Sequence, residues 1–233
     1  MSARTLRPLI PPLEDGDRLS RDEFERRYHA MPKRFKAELI EGVVHVSSPV
    51  RAVHGSPHFD LVTWLGTYRA MTPGIDGADN ATNRMDDINE PQPDAMLYID
   101  VDRSPKFRLA TDGYLEGTPE LIAEVAGGSK SKDLGPKRRA YARNGVQEYV
   151  VWRVEDDAID WFTLQGSDYV PMTPDESGII HSQVFPGLWL DVPAMIERSL
   201  SRVLSVLNQG LGTAEHAAFV AKLEAMPRRN VPG

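Results

Sequence analysis

Apolar residues recur along the chain with two different periods. SRDEFERRYHAM opens on Ser20 with Glu23 three positions on, a capping-box pattern that predicts a helix stopped by Pro32. AELIEGVVHVSS (37–48) is short, apolar and β-branched around Gly42, and predicts a strand or hairpin. Leu61, Trp64, Leu65 and Tyr68 then return at helical spacing. They predict a helix over 57–71, with Pro57 in its first turn and Thr72-Pro73-Gly74 as its stop. Residues 74–92 are polar and loop-like, with a short strand expected at ATNRM. PDAMLYID (93–100) and PELIAEVA (119–126) predict strands, the second of the kind buried inside a sheet.

Farther along, Gly135-Pro136 is expected to open a helix that Asn144-Gly145 closes. QEYVVWRVE and AIDWFTLQ predict a hairpin about the acidic turn Glu155-Asp156-Asp157, with Trp152 and Trp161 packed across it. FPGLWLDVPAMIERSLSRVLSVLNQGL and TAEHAAFVAKLEAM predict two C-terminal helices. The stripe Leu200, Val203, Leu204 and Leu207 is either a lid on the core or a dimer surface. No repeat or linker divides the chain. The expected organisation is a loosely ordered lead-in over 1–18, one α/β domain over 19–192, and a C-terminal helical extension over 193–233 packing on that domain.

Composition narrows the function classes. The 233 residues are 41% hydrophobic and 26% charged, which supports one sizeable core and excludes a disordered chain. No stretch approaches ~18 uninterrupted apolar residues, so no membrane-spanning helix and no membrane partner are expected. The first residues lack the apolar run of ~7–15 that a secretory signal carries. The absence of cysteine excludes disulfides, thiolate metal sites and cysteine nucleophiles. Together these point to the cytoplasm. A net charge of −7 argues against non-specific coating of nucleic acid, yet allows a local basic groove and suits a site built from carboxylates.

Three positions carry the chemistry. Asp94 follows Pro93 at a strand start, Glu124 lies near the end of the next strand, and Lys137 sits on the helix after that. Neighbouring strands bring Asp94 and Glu124 side by side, and paired carboxylates are a natural seat for a hard divalent cation, with the Val125 carbonyl as a further ligand. A lysine beside that cation orients or deprotonates an attacking water and offsets phosphate charge. Glu38 is equally a third carboxylate or a solvated strand end. His54 and His58 stand i, i+4, but HGSPH carries a proline and no adjacent glutamate, which favours hydrogen-bonded imidazoles over a zinc pair. Asp133 reads as a helix cap rather than a ligand. Tyr141, one turn beyond Lys137, either packs on the lysine stem or belongs to the core. Lys130, Lys132, Lys137, Arg138, Arg139 and Arg143 gather against the single acid Asp133, as a phosphate-contacting face or a solvated helix face. GGSKSKD lacks the spacing of a phosphate-binding P-loop.

The ordered set Glu38-Leu39-Ile40-Glu41-Gly42, Ser48-Pro49, His54, Gln92-Pro93-Asp94, Glu120-Leu121-Ile122-Ala123-Glu124-Val125, Asp133-Leu134, Lys137, Tyr141 and Gly145-Val146-Gln147-Glu148-Tyr149 resembles the Uma-type restriction endonuclease family, within the PD-(D/E)XK nuclease superfamily. The resemblance spans roughly 20–155 and rests on order rather than on any one motif. It implies an α/β fold: a restriction-endonuclease-like mixed central sheet flanked by helices, with extra β-hairpins and C-terminal helices. It implies a Mg²⁺- or Mn²⁺-dependent endonuclease acting on DNA, with a homodimer as a natural assembly. Asp94 and Glu124 would be the metal carboxylates and Lys137 the lysine. Glu38, His54 and Tyr141 would support them, and Lys130, Lys132, Arg138 and Arg139 would face DNA. One departure stands out: Ala126 lies two residues after Glu124, where the superfamily carries lysine, and Lys137 would fill that role from the following helix. The competing reading is a catalytically inactive nuclease-fold protein that binds nucleic acid or a protein partner. A third is a small-molecule enzyme or interaction module on the same scaffold.

Overall fold

The computed structural model of the chain describes residues 10–47, 52–127 and 130–229. The first half of the lead-in, the Ser48-Pro49 step and the side chains of His54 and Lys130 lie outside the described residues. α1 (Arg21–Tyr28) begins as the capping pattern predicts, with Ser20 Oγ accepting from the Glu23 N–H at 3.5 Å. β1 (Ala37–Ile40) and β2 (Val43–Val46) form an antiparallel hairpin. Its two turn residues, Glu41 and Gly42, have φ of 51° and 74°. Positive φ at both positions matches the strand twist, and glycine takes the second without strain.

α2 (Ala52–Met71) starts earlier than the 57–71 expected, so Pro57 sits inside it rather than in its first turn. There follow β3 (Ile75–Asp79), β4 (Asn83–Arg84), β5 (Ala95–Ile99), β6 (Phe107–Leu109), β7 (Leu115–Gly117) and β8 (Leu121–Ala126). A continuous helical run then comprises α3 (Lys130–Lys132), a π-helical turn (Asp133–Lys137) and α4 (Arg138–Asn144). Gly135-Pro136 therefore lies within this run instead of opening it. Proline has no N–H to give and its ring crowds the carbonyl four residues back, and a widened turn accommodates both. Gly145 closes the run with φ of 79°.

β9 (Glu148–Arg153) and β10 (Ala158–Gln165) form the expected hairpin, extended by β11 (Asp168–Pro171). Its register sets Trp161 opposite Val150 and Trp152 opposite Ile159, so the two tryptophans are not direct partners. Trp161 instead meets the edge of Trp64 on α2, with centroids 5.7 Å apart. β12 (Ile179–His181) pairs with β13 (Trp189–Asp191). The segment expected as one long helix breaks into α5 (Val192–Ile196) and α6 (Leu200–Leu211), with Arg198 at φ 60° between them; α7 (Ala214–Glu224) follows.

The central sheet has the order β11-β10-β9-β8-β5-β3, mixed because β8 and β9 run parallel while its other neighbours are antiparallel. Alternation along β8 separates its two faces. Leu121, Ala123 and Val125 join Leu61, Trp64, Leu65 and Tyr68 of α2 in the larger core, which Val203 and Leu207 of α6 complete. The stripe on α6 thus covers that core, with Leu200 and Leu204 partly buried against it. Ile122 and Ala126 face the other way, among Tyr141, Tyr149, Met96 and Phe107. Glu124 shares this second face by position. No described helix is long and apolar enough to cross a membrane.

Candidate active site

β5 and β8 pair through Ala95 and Ala123, so one further step of that register sets Asp94 opposite Glu124. Directly opposed residues of an antiparallel pair project from the same face. The sheet therefore brings the two acids together, and the Val125 N–H donates to Asp94 Oδ2 at 2.7 Å. His58 on α2 secures the same corner: its Nε2 lies 2.9 Å from the Asp94 carbonyl oxygen and 2.9 Å from Asp79 Oδ1.

The helical run after β8 returns Lys137 over the strand end. Lys137 Nζ donates to Glu124 Oε1 at 2.9 Å and lies 3.0 Å from Glu38 Oε2. Asp133, one turn back, places Oδ1 3.9 Å from the same nitrogen. Lys132 Nζ reaches the other oxygen of Glu38 at 2.5 Å. Tyr141 donates its hydroxyl to Glu124 Oε1 at 2.8 Å. Glu38, Glu124, Asp133 and Lys137 are each no more than 4% exposed.

Two of the open readings thus resolve. Glu38 is buried against Lys137 and is not a solvated strand end. Tyr141 lies in the core and also bonds Glu124. Asp133 lies within the helical run rather than at its first position: it is enclosed beside Lys137, and Tyr149 donates its hydroxyl to the Asp133 carbonyl at 3.0 Å. The expectation of a cap arose because an acid just before Gly-Pro resembles a helix start. The i, i+4 spacing to Lys137 was the signal available.

The basic face reads differently in three dimensions. Lys132 turns onto Glu38, and Arg139 pairs with Glu41 at 2.7 Å. Arg143 lies 3.5 Å from Glu41. Arg138 donates to the Tyr169 carbonyl at 2.9 Å and lies over the Phe162 ring. These cations tie the helical run to the β1–β2 hairpin and to β10–β11 before they offer anything to a ligand.

Electrostatically the cluster is unbalanced: four carboxyls surround two ammonium groups. Burial opposes the charge on Glu38, but Lys137 and Lys132 outweigh it and hold the carboxyl down to about 2. Burial pushes Glu124 up to about 8; Lys137 pulls it back, while Asp94, Asp133 and Glu38 add to the rise. Lys137 is held well above its ordinary value, because its acidic neighbours overcome the penalty of burial. The excess of acid is what a divalent cation would neutralise, and the donors are hard oxygens only, which suits Mg²⁺ or Mn²⁺ and not a soft metal. Among the described residues no three acid or imidazole groups converge as a ready-made cage. Mg²⁺ needs none, since it binds through one or two carboxylates and retains water.

Comparisons with other proteins identify the family and the fold. A sequence profile of the Uma2 family, described as "Putative restriction endonuclease", matches residues 21–193. The fold is similar to the crystal structure of a putative nuclease belonging to DUF820 from Anabaena variabilis ATCC 29413. The TM-score is 0.54 at 12% identity, covering 78% of this chain and 97% of that one. No match is found among curated proteins.

Proposed function

The chain belongs to the Uma2 family, and from that membership we propose that it is an endonuclease hydrolysing DNA phosphodiester bonds with Mg²⁺ or Mn²⁺. The observation that carries this reading is the enclosed Lys137 ammonium held between Glu124 and Glu38 at the end of β8, with Asp94 across the strand pair. Asp94, Glu124 and the Val125 carbonyl would hold the ion, which when bound supplies Lewis acidity at a phosphoryl oxygen and a more acidic water. The chain's own groups do the rest. Glu38 and Glu124 keep Lys137 charged and fix its direction, so that it donates to the attacking water or to a non-bridging phosphate oxygen. Tyr141 orients Glu124, and the Val125 N–H orients Asp94.

In this reading Lys137 stands in for the lysine that Ala126 cannot be. DNA is the substrate. Paired chains would let two sites cut opposite strands, and sedimentation reads that assembly. Activity in the cytoplasm fits a sequence without cysteine. The test is plasmid nicking with Mg²⁺ or Mn²⁺. The parent converts supercoiled to open-circular DNA, and Asp94→Ala, Glu124→Ala and Lys137→Ala fall to background. Equal background in all four proteins defeats the proposal. The second reading, a nuclease fold that binds without cutting, draws on Ala126 and on the engagement of Lys137 by two carboxylates. Salt-dependent DNA binding with no metal-dependent cleavage is its signature.

A further inference from the structure

Away from the carboxylate site lies a cavity of about 440 Å³ lined by Arg21, Arg84, Lys106, Arg108 and Arg229, with Glu116 as the one acid in its wall among the described residues. We propose that this pocket is a second nucleic-acid contact, binding phosphates of the DNA backbone outside the cleavage site. The proposal rests on the endonuclease reading for the identity of its ligand.

The five cations come from four distant parts of the chain: the start of α1, β4, the β6 region and the C-terminal tail. Their convergence is thus a product of the fold and not of a local basic run. The tail is tied in by the Arg229 N–H, which donates to the Asp102 carbonyl at 2.5 Å. Gly117 lets β7 press against residue 106: its φ is +100°, and a Cβ there would lie 2.1 Å from the Lys106 carbonyl oxygen.

The wall has a fixed part and an available part. Arg84 is 8% exposed and braced by Glu25 at 2.8 Å and Asp112 at 2.8 Å. Those two acids stand outside the cavity wall, while Glu116, 3.4 Å from the same guanidinium, belongs to it. Arg84 makes the floor rigid, its charge answered by three carboxylates, so the attraction for an anion falls to the exposed cations around it. Arg21 Nε is shielded from solvent and has no partner in hydrogen-bonding geometry; Glu25 Oε1 lies 3.5 Å away. Lys106 lies 3.7 Å from Glu120, and its side chain is 41% exposed. Arg108 pairs with Glu116 on one side yet remains 71% exposed. Lys106 and Arg108 keep charged donors open to solvent, and an anionic oxygen is a strong acceptor for such donors. In a chain of net charge −7 such a pocket supplies local attraction that the whole molecule lacks. In the α3–α4 run, by comparison, Lys132 is paired with Glu38, Arg139 with Glu41, and Arg138 donates to the Tyr169 carbonyl.

The experiment measures binding of a short fluorescein-labelled duplex to the full chain in chelator, where no cleavage occurs. Arg108→Ala/Arg229→Ala is compared with the parent and with Lys222→Ala, an exposed cation outside the pocket. The pocket variant should bind on the order of tenfold more weakly, with the log–log salt slope flattened by about 0.9 for each phosphate that is no longer neutralised. Thermal melting confirms that all three proteins fold. Equal affinity and slope in parent and pocket variant overturn the proposal. Inorganic phosphate is titrated against the same proteins: variant-sensitive binding of free phosphate, with duplex affinity unchanged, overturns the assignment to nucleic acid. Pocket-dependent duplex binding by a parent that never nicks DNA upholds the pocket and defeats the hydrolase reading instead.

Discussion

Tyr141 donates its hydroxyl to the same Glu124 oxygen, Oε1, that faces Lys137 Nζ. The two donors come from one helical run, four residues apart, and arrive at an acid on β8. Glu124 therefore cannot rotate without abandoning two hydrogen bonds in an enclosed space. Tyr141→Phe keeps the ring and removes one donor. Groups that orient a metal-binding carboxylate typically matter by 10–100-fold. Nicking is expected to fall by about tenfold, with a stability loss of about 1 kcal/mol. A Tyr141→Phe protein with parental nicking across a Mg²⁺ titration would show that the hydroxyl does not orient Glu124.

Lys137 carries a sharper energetic prediction. Removing one member of a buried ion pair leaves an uncompensated charge and costs about 3–5 kcal/mol. Lys137→Met should therefore be strongly destabilising, because it leaves Glu124 without its cation and Glu38 with Lys132 alone. Lys137→Met/Glu124→Gln should recover part of that loss, since the amide needs no cation. Urea denaturation of the four proteins in the cycle reads the coupling. Simple additivity of the two single changes would contradict a shared enclosed pair.

Much of this arrangement was legible along the chain. Period-two alternation puts Glu124 on the face opposite Leu121 and Val125. The i, i+4 spacing puts Tyr141 over Lys137. What escaped local reading depends on segments far apart in sequence. Lys132 looks like a solvated cation until the β1–β2 hairpin, nearly a hundred residues earlier, brings Glu38 against it. Asp133 looks like a cap because Gly135-Pro136 imitates a helix start, whereas the π turn keeps the backbone helical through the proline. Trp152 and Trp161 look like partners, but the four-residue connection over 154–157 sets a register that pairs each with an aliphatic residue. The Arg84 pocket has no local signature, since its cations converge only in the folded chain.

The hairpin that delivers Glu38 turns on Gly42 at φ 74°. A Cβ at that position would also stand 3.3 Å from the Leu19 carbonyl oxygen. Gly42→Ala should cost about 1–2 kcal/mol for the left-handed conformation, a Tm decrease of roughly 2–8 °C for a chain of this size. Gly42→Asn should cost less, because asparagine visits that region more readily. Calorimetry of the two variants checks the order. An alanine variant as stable as the parent would mean that the turn relaxes to another conformation.

Glu90 contributes a pH dependence of its own, outside the carboxylate site. It is 4% exposed, and its Oε2 has no hydrogen-bond partner. Burial pushes its carboxyl from 4.5 up to about 8; the neighbouring Glu25 adds to the rise, while Arg84 and Arg21 pull it back. Between those two values the folded chain keeps a proton that the unfolded chain has released. The resulting stability is fully present below the unfolded value of 4.5 and is lost as pH rises through about 8. Glu120, Glu124 and Glu148, also raised by burial, slope the curve in the same direction and remain in any Glu90 variant. Glu90→Gln carries a neutral side chain of nearly the same shape, so its stability should decline less between pH 5 and pH 8.5. A difference of about 2 kcal/mol at the upper end corresponds to roughly 4–8 °C in Tm. Melting temperatures taken across this range for parent and variant decide the matter: curves that stay parallel would place the Glu90 proton outside the folded-state balance.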